Sequence, residues 1–369
     1  MSLPPRRRVA LALAAALSIL PLACGGNESS VPSAPPETTG GDRLPASVRP
    51  DTPVPPPSLA GQITVYSGRS QNLVGSLLQR FETLTGVEIK VRYGATAEMA
   101  ALILEEGENS PCDVYYAQDA GALGALAAAG RLRPLPPSIL SKVQPRFRSP
   151  EGLWVGSSGR ARVVAYSTER VREADLYDSI WSYTDPKWTG RIGWAPTNGS
   201  FQAFVTAMRL TAGDQATAEW LKGILRNRPK TYANNAAIVA AIADGEIDLG
   251  FVNHYYLFNF LAERGESFPV RNFYPRAGDP GSLINVAGAA VLKTSRNPAA
   301  AEALVDFLLS PEAQASFAEE THEYPLIPGV PLDPRLRSLD EIATPDVDLG
   351  ALADLEGTLN LLREVGALE

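Results

Sequence analysis

The chain has 369 residues, 45% hydrophobic and 20% charged, with a formal net charge of −8. That length and apolar content suit two lobes with buried cores, and the acidic balance argues against nucleic acid as a partner. Two cysteines and two histidines exclude a disulfide framework and a His/Cys cluster for zinc or copper.

The first residues read as targeting rather than fold. Arg6-Arg7-Arg8 and the apolar run Val9 to Ala23 make residues 1–23 an export signal, too short to span a bilayer comfortably. Cys24 follows Leu22-Ala23, similar to the cleavage site of bacterial lipoproteins, where the cysteine is lipidated; an ordinary secreted protein cleaved near Ala23 is the alternative. Pro21 stands where such sites usually carry leucine. Residues 24–62 are rich in proline, serine, threonine and glycine, cannot bury a core, and read as a disordered linker. No other stretch is apolar enough for a transmembrane helix, so a lipid on Cys24 would be the membrane tie.

The body opens with a strand at Ile63 to Tyr66 and a helix from Gln71 to Thr85, with Leu73, Leu77, Leu78, Phe81 and Leu84 at helical spacing. Strand Val87 to Tyr93, helix Ala97 to Gly107, strand Asp113 to Tyr116 and a small-residue helix Gly121 to Ala129 follow. This alternation predicts parallel β-structure covered by helices. After Val163 to Tyr166 come strand Ile192 to Trp194, helices at 201–210, 216–225 and 235–243, and strand Asp248 to Val252. The strand runs into Asn253-His254-Tyr255-Tyr256 and a helix at 257–264. Ile284 to Leu292 is an apolar run able to cross between lobes; helices at 298–309 and 313–320 and a tail helical beyond Leu349 complete the chain.

Ligands of open α/β sheets sit beyond the carboxyl ends of the strands. Here those ends are Ser67-Gly68-Arg69-Ser70, Ala117-Gln118-Asp119, Pro196 to Ser200 and Asn253 to Tyr256, polar loops that read as a binding cleft. Paired tyrosines become strong ligands only before a hard, highly charged cation that stabilises the phenolate; otherwise they are packing or interfacial residues. Thr197-Asn198-Gly199-Ser200 before a helix offers backbone and side-chain donors to an anion, or simple N-capping. Asn235 and Asn253 could donate to the same anion, or serve as cap and turn residues. Catalysis finds no support: Gly156-Ser157-Ser158-Gly159 has the wrong spacing for a nucleophile elbow, and no phosphate-binding glycine pattern follows the first strand.

Ile63 to Tyr66, Ser110 to Tyr115, Ser158 to Val164, Pro186-Lys187-Trp188 with Arg191 to Thr197, Asn253 to Tyr256 and Glu323 to Leu326 occur in that order. Over Gln62 to Val365 this ordered set resembles the ferric-ion-binding proteins of bacterial ABC importers, the bacterial transferrins. The resemblance implies an α/β, two-lobed periplasmic-binding-protein fold of type II, a flytrap hinged on crossing strands. One lobe would hold 63–160 plus 285–335, the other 161–284 plus 336–369. Tyr255 and Tyr256 would give phenolates to Fe(III), while Asn198, Gly199 and Ser200, with Asn235 and Asn253, would cradle a synergistic carbonate, phosphate or citrate. Arg162 and Arg69 could pair with that anion or form salt bridges.

The sequence departs from the family at several positions. Ser70 and Gln118 stand where well-known members place a histidine and a glutamate, and Gln71 and Phe201 stand where others recruit tyrosines. Asp119 could contribute to the metal or cap a helix. The expectation is an exported, non-enzymatic, monomeric protein feeding an ABC permease and its ATPase. The alternative is a binding protein for an organic anion, such as a phosphonate or citrate, without direct metal ligation.

Overall fold

The computed structural model describes residues 59–368; the export signal, Cys24 and most of the proline-rich segment lie outside them. In chain order come β1 (Gln62–Ser67), α1 (Gln71–Thr85), β2 (Glu88–Tyr93), α2 (Thr96–Glu106), β3 (Val114–Ala117), α3 (Ala120–Ala128) and the single turn α4 (Pro137–Leu140). Then follow β4 (Val155–Ser167), β5 (Ile192–Trp194), α5 (Gly199–Arg226), β6 (Lys230–Thr231), α6 (Asn235–Ala243), β7 (Leu249–Asn253), α7 (Tyr256–Arg264) and β8 (Val270–Phe273). The chain closes with β9 (Ile284–Val291), α8 (Pro298–Phe307), α9 (Pro311–Glu320), β10 (Tyr324–Pro325), a 3-10 turn Leu349–Ala353 and α10 (Leu355–Glu364). α1 buries Val74, Leu77, Leu78 and Phe81 on one face, as its apolar spacing demands.

The α/β expectation holds, but the parallel pairing is confined to the two ends of the sheet. Its order is β2-β1-β3-β9-β4-β7-β5-β6, with β8 and β10 also on β4. β1 runs parallel to β2 and β3, and β5 parallel to β6 and β7. The middle is antiparallel, because β9 and β4 cross between the ends. β4 is longer than the apolar run Val163 to Tyr166 suggested: it starts at Val155, and all its residues are buried. It changes partners midway, pairing with β9 through Ala161 and with β7 from Arg162 onward. The two helices expected between 201 and 225 form one element broken at Gly213, whose φ of 83° and ψ of 165° only glycine adopts readily.

Two packing features tie distant segments together. Arg69, at the end of β1, is fully buried and bonds Glu323 through Nη2 at 2.8 Å, and Ser158 donates to the same carboxylate at 2.7 Å. Burial opposes ionisation of Glu323, but Arg69 and then Arg160 outweigh it and hold the carboxyl below its ordinary value. The C-terminal segment lies on both ends of the sheet's helical cover. Leu349 and Leu352 pack into the cluster that includes α3, whereas Leu361 and Leu362 of α10 join the aromatic cluster of Trp188, Trp194, Phe204 and Trp220. The approach to α3 is close: a Cβ on Gly124 would lie 1.9 Å from the carbonyl oxygen of Gly350. On the other side Thr206 and Thr358 hydroxyls bond at 2.7 Å, and Arg209 meets Asp354 at 2.9 Å.

Glu323→Gln strands the buried Arg69 charge and is expected to cost on the order of 3–5 kcal/mol in chemical denaturation. The depressed carboxyl contributes stability above its unfolded pKa that is lost as pH falls through the folded value. Acid should therefore narrow the gap between wild type and the glutamine variant. Gly124→Val should lower the melting temperature by displacing the 3-10 turn, a loss of about 1–3 kcal/mol for an overpacked contact.

Candidate functional site

A cavity of about 580 Å³ opens between the helices of the two sheet ends, and the turn from β7 into α7 supplies part of its floor. Tyr255 occupies the N-cap of α7 and Tyr256 its first position, so the change from strand to helix presents both phenols together. Their rings stack with centroids 4.4 Å apart at 27°. Burial, then the neighbouring Tyr256 phenol, pushes Tyr255 above its ordinary pKa, while Arg160 acts in the opposite sense. Ionising that phenol needs a strong positive charge in front of it.

His254, just before the pair, is a structural residue. Its Nδ1 accepts from the Ala161 N–H at 3.1 Å, and Nε2 donates to the His322 carbonyl at 2.7 Å. Burial pulls it down to about 4, so it is neutral at pH 7. It fixes the end of β7 against the point where β4 changes partners.

The loop at the start of α5 faces the tyrosines. Asn198 caps the helix: its Oδ1 accepts from the Ser200 N–H at 3.1 Å and from the Ser200 hydroxyl at 2.6 Å. Asn235 stands behind this loop. Its amide donates to Asn198 at 3.1 Å and to Ser200 at 3.2 Å, and its oxygen accepts from the Asn253 N–H at 3.1 Å. Asn198, Gly199, Ser200 and Asn253 line the cavity. A Cβ on Gly199 would meet nothing within 4 Å, so open space lies before that residue.

Arg162 comes from β4, opposite Asn253 in the ladder. Its Nη1 donates to Asn253 and to Ser200, each at 3.2 Å, and Nη2 is buried without a partner. Burial without a carboxylate beside it pulls Arg162 down to about 9, which leaves it charged at pH 7. Arg160, two residues earlier on the same face of β4, also lines the cavity; it is 5% exposed and its Nε has no partner. Sequence reasoning singled out Arg162 and passed over Arg160, although the i, i+2 spacing within a strand was the available signal.

The remaining candidates divide. Gln118 and Asp119 are in the cavity wall: Gln118 Oε1 is buried and unpartnered, and Asp119 caps α3 through the Ala122 N–H at 3.3 Å. Burial raises the Asp119 carboxyl, against the pull of Arg160. Arg69 and Ser70 lie outside the wall. Arg69 is committed to Glu323, and Ser70 is an exposed cap whose hydroxyl bonds Asn72 at 2.5 Å. Among the described residues no group of three or more His, Cys, Asp or Glu is placed to hold a metal.

Known proteins match the chain over most of its length. Residues 63–320 fit the family model described as bacterial extracellular solute-binding protein. The major ferric iron-binding protein of Neisseria meningitidis is 37% identical over 313 residues, 84% of this chain and 94% of that protein. The crystal structure of iron-bound HitA from Pseudomonas aeruginosa superposes with a TM-score of 0.76 at 35% identity, covering 83% of this chain and all of that one. The Trichodesmium protein IdiA (FutA), in complex with iron and citrate, gives 0.74 at 30%, covering 83% and 99%. The architecture is therefore that of the type II periplasmic-binding proteins, which hold a solute without turning it over. The chain belongs to the bacterial extracellular solute-binding proteins, and among them it is a relative of the ferric iron-binding proteins.

Proposed function

We propose that this protein captures Fe(III) together with a synergistic anion outside the cytoplasm and delivers it to an ABC permease and its ATPase. The observation that carries the reading is the pairing of two stacked phenols with two buried guanidiniums around one cavity. Tyr255 and Tyr256 supply the metal ligands, each surrendering its phenol proton to solvent as iron binds. The anion, a carbonate, phosphate or citrate, completes the coordination and meets Arg160 and Arg162 as well as the N-terminus of α5. Asn198, Gly199, Ser200 and Asn253 border the anion, and Asn235 holds their loop in place. Gln118 and Asp119 remain available at the wall. The likeness to a ferric iron-binding protein and to an iron-bound structure favours the same cargo.

Capture works by closure. The lobes 63–160 plus 285–335 and 161–284 plus 336–369 rotate about β4 and β9, excluding water and strengthening every charge interaction at the site. Before capture the molecule is an exported monomer, tethered to the membrane by a lipid on Cys24. No helix among the described residues is long and apolar enough to cross a membrane.

A second reading, an organic anion bound without metal, is favoured by the unpaired guanidiniums and by serine and glutamine at positions 70 and 118. Titration with Fe(III) and phosphate or citrate separates the two. The iron reading requires an orange-to-red phenolate charge-transfer band. Tyr255→Phe with Tyr256→Phe should bleach that band and weaken iron binding by more than about 100-fold, beyond the loss of a supporting hydrogen bond. A colourless protein stabilised equally by the anion with and without iron would establish the second reading instead. Arg160→Gln and Arg162→Gln should each cost about 1.5–3 kcal/mol of anion affinity by calorimetry, with the phenolate band kept.

A further inference from the structure

The cavity is chemically divided, and the wall made by α2 and α3 is mostly alanine. α2 turns two faces to its surroundings. Met99, Ala100 and Ile103 go into the core, while Ala97, Ala101 and Leu104, at i, i+4 and i+7, are exposed along the cavity. Leu104 is 40% exposed, one of three large apolar side chains so placed among the described residues. Ala122 and Ala125 of α3 continue this wall, so most of it consists of methyl groups. Ala203 of α5 stands on another side, with Leu352 and Leu355 of the C-terminal segment at the edge.

Size and charge then constrain what fills the space. Before closure the cavity of about 580 Å³ has room, at about 30 Å³ per water, for some twenty waters, so a cargo larger than an iron with a small inorganic anion can enter. It falls within the range of pockets that enclose whole organic molecules, about 300–1,000 Å³. The phenols and guanidiniums fix the oxygen-bearing, anionic end of the occupant. A wall of alanine methyls with no bulky side chain but Leu104 leaves room for a rigid apolar ring, which gains contact area at little entropic cost.

We propose that the cavity takes Fe(III) as a chelate of an aryl ligand with adjacent oxygen donors, of the catecholate or salicylate class, its ring against α2 and α3. This rests on the iron reading of Tyr255 and Tyr256. The chelator's oxygens hold the metal positions the protein leaves open, and its carboxylate or phenolate charge faces Arg160 and Arg162. The apolar wall then serves as a recognition surface for the organic body.

Calorimetry on the mature protein, with Fe(III) presented with phosphate, citrate or 2,3-dihydroxybenzoate, tests this. The aryl chelate should bind at least about tenfold tighter than the phosphate form, the discrimination a few apolar contacts provide. Leu104→Gln and Leu355→Gln, uncharged changes on two different elements of the lining, should each weaken the aryl chelate by about fivefold and the phosphate form by less than about twofold. Equal affinity for all three forms overturns the proposal while leaving iron capture intact. So does an equal loss of every form in the two variants, which would make the stripe a seal for the closed cleft. Failure to bind iron with any of the three anions removes the iron reading, and the proposal with it.

Discussion

Positive charge held out of water governs the cleft. Arg160 and Arg162 rise from one face of the central strand, each at most 5% exposed, and each retains a buried nitrogen that nothing satisfies. Leaving such a group unpaired is costly, which is the physical ground for proposing an anion here. Arg69, just beyond the first strand of the same sheet, is equally buried and also keeps an unpartnered Nε, but its Nη atoms are committed to Glu323. Arg160 lies within reach of the fields of Glu323 and Asp119 without a direct ion pair, and Arg162 has no carboxylate beside it.

The central strand also explains why the site is where it is. Its first half belongs with β9 and its second with β7, and the exchange falls between Ala161 and Arg162. The two arginines straddle that exchange. His254 bonds the backbone of Ala161 and the carbonyl of His322, so the turn carrying the tyrosines is registered against the same point. Phenols, guanidiniums and the α5 loop therefore converge because one strand is shared by both ends of the sheet.

Much of this was legible in the residues. The helical spacing of α1, the small-residue stretch of α6 and the strand leading to Tyr255-Tyr256 depend on local periodicity, which a sequence displays directly. What escaped was long-range. The start of β4, Val155 to Gly159, has no apolar alternation; it is a strand because neighbours on both sides cover it. The commitment of Arg69 is set by a residue 254 positions away. Asn235, expected before an anion, spends both ends of its amide on Asn198, Ser200 and Asn253, which only the fold brings together.

The C-terminal segment bears on how the cleft can move. It touches α3 backbone to backbone at Gly124 and Gly350, then turns at Asp354 and binds α5 through Thr358 and Leu362. Only a single residue, Asp354, separates the 3-10 turn from α10. Any motion that parts α3 from α5 must peel this strip from one of them or draw out that short join. For the proposed closure, a strip held against both α3 and α5 would limit how far those two helices can part.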